Sequence, residues 1–474
     1  MNTGRRAADL RLLLSSTASS AVVLGQGPVA DAWRTGLAAA GVAPPGYGRP
    51  DLVVAGPDEA DRAARLTADH VVVIGRSRAR PLRAAGLTPQ RVLVRPGADG
   101  PRLVLPLDRH TIAWASRTFS RGLLRPAALR AAGAVARTST IGSTLLASRG
   151  PGLPALCRPA LDAGVSAGAS AALWLGGGDD LQRVVFHLLE PGSATASVVV
   201  KSSRVAGYRA PFERDAAGLS LAAANGPLTR AHVPALLVSA DVGGHAVSVE
   251  SAAPGRSLSD VLLERGNDAL PSVLAIADWA RALVRERPVG PDGMLAERDR
   301  LRRDVLPHFP QVSTELVGAL PPLTGGLAHH DLGSWNILVT EQPGDFVVVD
   351  WESARRPALP LWDAVYLLTD ALVTMQGPAD SVVRAARAVE LLAGRGRHGE
   401  LLLRQVRANC AEAGVPLASA GPLVTLMWLH HACSHSLRTA AGGAVGRTPG
   451  HLGRIGPLWL VDERLGVRWP ALTG

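Results

Sequence analysis

Short runs of Val, Leu, Ile and Ala, bounded by Gly, Pro and charged residues, recur along the whole chain. Runs of this length between turn residues predict buried strands. Ala21–Gly25, Asp51–Ala55 and His70–Gly75 are such runs, with shorter ones at Arg91–Val94 and Arg102–Leu105. Helical patterns alternate with them, as in the stretch after Gly27 through Ala40. Strand and helix in alternation predict a small Rossmann-like α/β domain over residues 1–150. A second group of strands is predicted at Leu173–Leu175, Arg183–Glu190, Val198–Lys201 and His245–Glu250. Pro211–Ala224 has the spacing of a helix packed on a sheet. Beyond residue 253 the period becomes mainly helical, with Leu262, Val273, Ile276 and Leu283 on apolar faces. Further helices are expected over 362–374, 381–393 and 423–438. One more strand is expected at Phe346–Val349.

Composition changes this picture in two ways. Apolar residues make up 47% of the 474 residues, enough for large cores, while no run is long enough to span a bilayer. A cytoplasmic protein is expected, since the first residues lack the apolar core of a signal peptide. The net charge of +10 is unevenly spread. Residues 1–150 hold 21 Arg and 9 acids (+12); residues 151–474 hold 28 Arg, one Lys and 31 acids (−2). With the Gly- and Ala-rich stretches between 149 and 172, this asymmetry predicts a domain boundary there. Three distant cysteines, Cys157, Cys410 and Cys433, show neither a disulfide framework nor metal spacing.

Gly25-Gln26-Gly27-Pro28-Val29-Ala30 fits a dinucleotide-type turn, G-x-G-x-x-A. A nucleotide or S-adenosylmethionine site would also need an acid at the end of the second strand, and Asp51 begins that strand. A structural unit is therefore the expectation. Arg117, Arg121 and Arg125 recur every four residues on one predicted helical face, suited to an anionic membrane surface or a polyanion. Peripheral membrane contact thus enters as one expectation for residues 1–150, beside an ordinary solvated helix face. No nucleic-acid module is legible, and aromatics do not interleave with the basic residues.

The second half carries the chemistry. Lys201 is the only lysine among 50 Lys and Arg residues, and it ends the Val198–Val200 run. A compact ammonium at the end of an apolar strand is how protein kinases hold the α/β-phosphates of ATP. Upstream, Gly176-Gly177-Gly178 forms a loop between two strands, so the amides of Gly177 and Gly178 are candidates to lie over phosphates. Asp215 shares a helical face with Leu219 and is the candidate acid to pair with Lys201; Glu213 points to another side. The main chain of Glu250 to Ala252, leading from a strand through Pro254-Gly255, is a candidate adenine contact. His329-His330-Asp331-Leu332-Gly333-Ser334-Trp335-Asn336 contains H-x-D-x-x-x-x-N, and 19 residues past Asp331 an apolar strand ends in Asp350-Trp351-Glu352. Phosphoryl transfer needs a carboxylate to take the proton of an attacking hydroxyl and oxygen ligands for Mg²⁺. Asp331 is the candidate base, Asn336 and Asp350 the candidate metal ligands, and His329 a residue that orients the loop. Glu352 and Asp370 are weaker candidates for substrate contact. His431 and His435, four apart, could share a face as a metal pair, but no third ligand is near, so packed histidines are expected.

These elements, in this order, resemble the aminoglycoside phosphotransferase and choline kinase-like family over about residues 165–474. The resemblance implies an α+β bilobal protein kinase-like domain following the N-terminal α/β domain: a small lobe over 165–252 and a mostly helical large lobe over 253–474. It implies an ATP- (or GTP-) and Mg²⁺-dependent kinase acting on a small-molecule hydroxyl acceptor, with a sugar or glycan precursor as a candidate. It further implies that Asp363 caps a helix and braces the catalytic loop. Three departures stand out: His330 where a small residue is common, Asp215 in place of a glutamate, and a glycine loop that is not G-x-G-x-x-G. They leave open a catalytically weak or inactive kinase-like module, and the N-terminal region leaves open a kinase fused to a separate nucleotide- or S-adenosylmethionine-binding domain.

Overall fold

The computed structural model describes residues 7–46, 48–75, 77–97, 100–118, 143–150, 152–175, 183–342, 344–441 and 451–473. Gly177 and Gly178, and Arg121 and Arg125 of the basic helix, lie outside these residues. The chain divides into two compact units: residues 1–213 with 236–252, and residues 214–235 with 253–474.

The first unit is organised by one sheet. Its strands are β1 (Ala21–Val23), β2 (Leu52–Ala55), β3 (His70–Ile74), β4 (Thr88–Gly97), β5 (Gly100–Pro106), β6 (Ser143–Ser148), β7 (Ser170–Leu175), β8 (Arg183–Leu189), β9 (Ala196–Ser203), β10 (Leu236–Val242) and β11 (His245–Ser251). Among the described residues their order is β1-β2-β3-β6-β4-β5-β7-β8-β9-β11-β10. Only β1, β2 and β3 pair in parallel, and the Pro28–Ala39 helix follows β1. Pro at the first turn suits that helix, because the missing N–H would have no partner there. From β6 onward the pairing is antiparallel.

This arrangement corrects the expected separation of residues 1–150 from the small lobe. β5 pairs with β7, Leu103 against Trp174 and Val104 against Leu173. One apolar cluster then runs from Leu14, Trp33 and Val54 through Val104 and Leu173 to Phe186, Val200 and Val249. Arg204, just past β9, pairs with Asp9 at 3.1 Å, both buried. The charge asymmetry that suggested a seam does not oppose pairing of two apolar strands, whose burial contributes about 25 cal/mol per Å². The α/β pattern after β1 is thus the flank of a larger sheet.

The second unit is mostly helical. Its principal helices are Leu270–Glu286, Trp362–Thr374, Ser381–Leu392, Gly396–Glu412, Ala420–Ala441 and His451–Val461. Leu262, Val273, Ile276 and Leu283 are buried, as their spacing predicts. Among the described residues no single helix is long and apolar enough to cross a membrane. Short strands frame the site: β12 (Arg256–Ser257), β14 (Ile337–Val339) and β15 (Phe346–Val348) form one sheet, and β13 (Gly326–Ala328) pairs with β16 (Arg355–Ala358). His232 braces β15: its carbonyl accepts the Val348 N–H at 2.8 Å, and its ring stacks on Phe346 at 4.0 Å.

The Ala210–Asn225 helix meets the turn after β15 at Gly218. A Cβ there would lie 2.0 Å from the Trp351 carbonyl oxygen. Gly218→Ala should therefore lower stability by about 2–3 kcal/mol, read from urea unfolding, because rigid backbone has nowhere to yield.

Candidate functional site

In the first unit, Lys201 and Glu250 form a buried ion pair at 2.8 Å. Register explains it: Lys201 stands opposite Ser248 on β11, so Glu250 is its diagonal neighbour on the same face. Two ions taken from water need each other, since either alone would be an uncompensated buried charge. The sequence reading assigned Glu250 an adenine contact through its main chain. That main chain instead lies inside the ladder, facing Val199 on one side and Leu236 on the other. Its side chain is what reaches Lys201. The Ala252 N–H is likewise committed, to the Ser197 carbonyl at 3.1 Å. The main chain of Glu250 and the N–H of Ala252 are therefore already committed, which does not support the adenine contact read there from sequence.

Asp215, favoured from sequence as the partner of Lys201, sits in the second unit, where its Oδ1 accepts the Trp351 N–H at 2.8 Å. It ties the Ala210–Asn225 helix to the Asp350-Trp351-Glu352 turn. Trp351 is fully buried, edge-on to Trp279 at 6.4 Å and to His329 at 4.7 Å.

The catalytic loop candidates come together in the second unit between β13 and β14. Asn336 donates from Nδ2 to the Asp331 carbonyl at 2.9 Å and to Asp331 Oδ2 at 3.1 Å. Tyr366 donates its hydroxyl to Asp331 Oδ1 at 3.2 Å. Each carboxylate oxygen thus receives one donor. Burial, and next the charge of Asp350, push the Asp331 pKa up to about 7; the Tyr366 and Asn336 hydrogen bonds work against that rise. Burial and the nearby Asp331 push the Tyr366 hydroxyl well above its usual range, so it stays a donor.

Both ring nitrogens of His329 are committed to backbone groups. Its Nε2 donates to the Val349 carbonyl at 3.1 Å and its Nδ1 accepts the Asp331 N–H at 3.2 Å. Burial holds its pKa below the usual range, which suits this neutral tautomer. Asp363 accepts the N–H groups of His329 and His330 at 2.6 and 2.9 Å. It braces the loop as the resemblance implied, but the N-cap position of its helix is Leu361 and shows no side-chain cap. Asp370 accepts the Ser334 N–H at 2.9 Å and hydroxyl at 2.5 Å, with His451 Nε2 at 3.1 Å. Burial alone would raise the Asp370 pKa, but the bonds from His451 and Ser334 outweigh it and hold it low. Asp370 is therefore a buried brace rather than the substrate contact weighed from sequence.

Asp363, Tyr366 and Asp370 are spaced i, i+3, i+7, so one face of the Trp362–Thr374 helix holds the loop at three points. Sequence reasoning missed Tyr366 and the role of Asp370. The signal was present: two carboxylates and a phenol at that spacing in a helix buried all round.

His330, Asp350 and Leu361 all adopt left-handed backbone, with φ of 62°, 67° and 76°. Such conformations are costly for residues with side chains and persist only where surrounding bonds hold them. The His330 ring is buried edge-on to Trp362 and His430, each at 5.1 Å, and burial holds its pKa far down. His431 stacks on Tyr366 at 4.1 Å, with its pKa lowered by burial to about 3. It packs as a neutral ring, and among the described residues no group of three or more His, Cys, Asp or Glu is assembled to hold a metal.

A divalent ion of the Mg²⁺ type needs fewer protein groups, because it keeps water and substrate phosphate as ligands. The residues present fit it. Asn336 spends its NH₂ on Asp331, leaving its amide oxygen as a hard ligand. Asp350 is close enough to Asp331 to raise its pKa, a repulsion that a cation would relieve.

In the first unit, Gly25 and Gly27 take positive φ in the turn after β1. Arg34 donates to the carbonyls of Gly25 and Val23 at 2.5 and 3.2 Å. Asp51 Oδ2 accepts the Ser19 N–H and hydroxyl and the Ser20 N–H, at 2.7–2.9 Å. That is a structural task at the start of β2, far along the strand from where a ribose contact would stand.

Residues 176–403 match the model of the phosphotransferase enzyme family. The matched segment contains Lys201, Asp215, Asp331, Asn336, Asp350 and Asp363, the residues on which the resemblance was read. No curated protein is significantly similar in sequence. Among solved structures, the chain is similar to aminoglycoside phosphotransferase APH(3'')-Id from Streptomyces rimosus ATCC10970 in complex with ADP and streptomycin. The identity is 18%, covering 52% of this chain and 90% of that one, with a TM-score of 0.32. Another structure of that protein matches at 17% identity, covering 57% and 97%, also at 0.32. At this level the fold is read from the chain's own strand order and hydrogen bonds.

Proposed function

We propose that the protein is a nucleotide- and Mg²⁺-dependent phosphotransferase whose acceptor is a hydroxyl of a small molecule. The observation that carries this reading is Asp331, held by Asn336 and Tyr366 with its pKa raised to about 7, beside Asp350. A general base works best with a pKa near the working pH. Asp331 aligns the acceptor hydroxyl and takes its proton as the new O–P bond forms and the bond to the nucleoside diphosphate breaks. Tyr366 and Asn336 fix the carboxylate so that its free lone pairs point one way. Asn336 Oδ1 and Asp350 would hold Mg²⁺. When bound, the ion neutralises phosphate charge. Within the first unit, Lys201, with its ammonium fixed by Glu250, is a cation of the kind that holds nucleotide phosphate.

The test is thermal stabilisation of the full chain by ATP and by GTP, each with and without Mg²⁺. Stabilisation by at least one nucleotide that needs Mg²⁺ is expected. Removing Lys201 alone would strand the Glu250 charge, so the informative variant is Lys201→Met combined with Glu250→Gln. It should fold and lose most of the nucleotide-dependent shift. No shift with either nucleotide would favour an inactive kinase-like module.

A further inference from the structure

Trp335 stands apart from the other tryptophans. It is 42% exposed, while Trp279, Trp351, Trp362 and Trp428 of the same unit are buried. Among the described residues it is the only exposed tryptophan. Leaving an indole in water forgoes a large burial term, so its place needs a reason. It lies four residues after Asp331 and immediately before Asn336.

Its position is fixed. A Cβ on Gly333 would meet the indole Cη2 and Cζ2 at 2.4 Å. Gly333 has φ −82°, open to any residue, so what glycine supplies there is room for the ring rather than backbone freedom. Tyr366 meets the indole edge-on, ring centres 6.3 Å apart, and the same Tyr366 donates to Asp331 Oδ1. One aromatic residue therefore touches both the exposed indole and the candidate base. The indole is supported by Gly333 and Tyr366 and keeps exposed surface.

We propose that Trp335 is the platform of the acceptor subsite, and that the acceptor is a neutral cyclic polyol of the saccharide type. This rests on the phosphotransferase reading. A polyol ring has an apolar C–H face and hydroxyls around its rim. The C–H face suits an electron-rich indole, and the rim then presents a hydroxyl toward Asp331. A rigid ring loses less freedom on binding than an open-chain polyol and covers the indole more fully. The Arg and acidic residues of the second unit are nearly balanced, which favours a neutral ring over a polycation.

The experiment is saturation-transfer NMR on the full chain with Mg²⁺ and ADP. The probes are methyl glucopyranoside, myo-inositol and the open-chain hexitol sorbitol. Ring C–H signals are expected from at least one cyclic probe and not from sorbitol. Trp335→Phe, which keeps a ring, should retain them, and Trp335→Ala should weaken binding at least about tenfold. Asp331→Asn should retain the signals. Thermal unfolding checks that each variant is folded. Ring signals that survive Trp335→Ala at full strength, or no signal from either cyclic probe, overturn the proposal. ADP formation from ATP in parallel samples separates the two ideas. Ring signals that depend on Trp335, without any phosphoryl transfer, leave the subsite and remove the transferase reading. Transfer to sorbitol that is indifferent to Trp335→Ala leaves the transferase and removes the subsite.

Discussion

Asp331→Asn should lower kcat by about 10³-fold or more while Mg²⁺–nucleotide stabilisation remains, because a general base contributes about 10²–10⁴ and the amide cannot accept the proton. Turnover with a phosphorylated acceptor as product is the readout; a variant that keeps kcat within a few-fold would remove Asp331 from the role. The pH dependence has a definite sign. Turnover needs the carboxylate, so wild-type kcat should rise with pH as Asp331 ionises, a group whose pKa without a nearby cation is raised to about 7. Mg²⁺ next to Asp350 favours the charged form and should move that rise to lower pH. Stability runs the other way. A carboxyl raised from about 3.9 to about 7 means the folded protein holds its proton more tightly than the unfolded chain. Its contribution is fully present below about pH 4 and is lost as pH rises through about 7. In metal-free buffer, Asp331→Asn should therefore stabilise the protein at pH 8.5 relative to wild type, and by less at pH 5.5. Equal shifts at the two pH values would show that Asp331 titrates normally.

Asp363→Ala should be the most damaging single change to the loop. Both oxygens of Asp363 are used, one on each of two buried N–H groups in sequence. Each buried donor left without a partner costs about 1–3 kcal/mol, so a loss of roughly 2–6 kcal/mol is expected. Typical stability is about 5–15 kcal/mol, so the second unit should unfold at much lower urea. The left-handed backbone of His330 adds to the effect, since the Asp363 bond is part of what holds it. Asp363→Asn keeps one acceptor oxygen and should fall between wild type and alanine in both stability and kcat. An alanine variant with an unchanged urea midpoint would show that water replaces the carboxylate.

The strands and helices around the site were legible because their signals are local. Val198–Lys201, Arg183–Glu190 and His70–Gly75 read as buried strands from apolar runs alone, and strands stand there at Ala196–Ser203, Arg183–Leu189 and His70–Ile74. β6 and β10 were not read. β10 alternates exposed and half-buried positions, a weak pattern at a sheet edge, and β6 gains its place from partners on both sides. The domain seam was misplaced for a related reason. Charge per segment carries no information on strand pairing, whereas the pairing of Leu103 with Trp174 is decided by apolar faces distant in sequence.

At the site, residue types and spacing by themselves pointed to the proposed chemistry. Asp331, Asn336 and Asp350 are oxygen donors of the kind the proposed reaction would need, and the lone lysine among arginines was the candidate for a point charge. Only the tertiary structure decided which groups hold them. Glu250 meets Lys201 through strand register, and Tyr366 meets Asp331 across a helix–loop contact. Trp351 receives Asp215 where Gly218 lets two backbones close. Spacing along a chain specifies neighbours within one helix or strand, but contacts between elements depend on register and crossing geometry, which packing of the whole core sets.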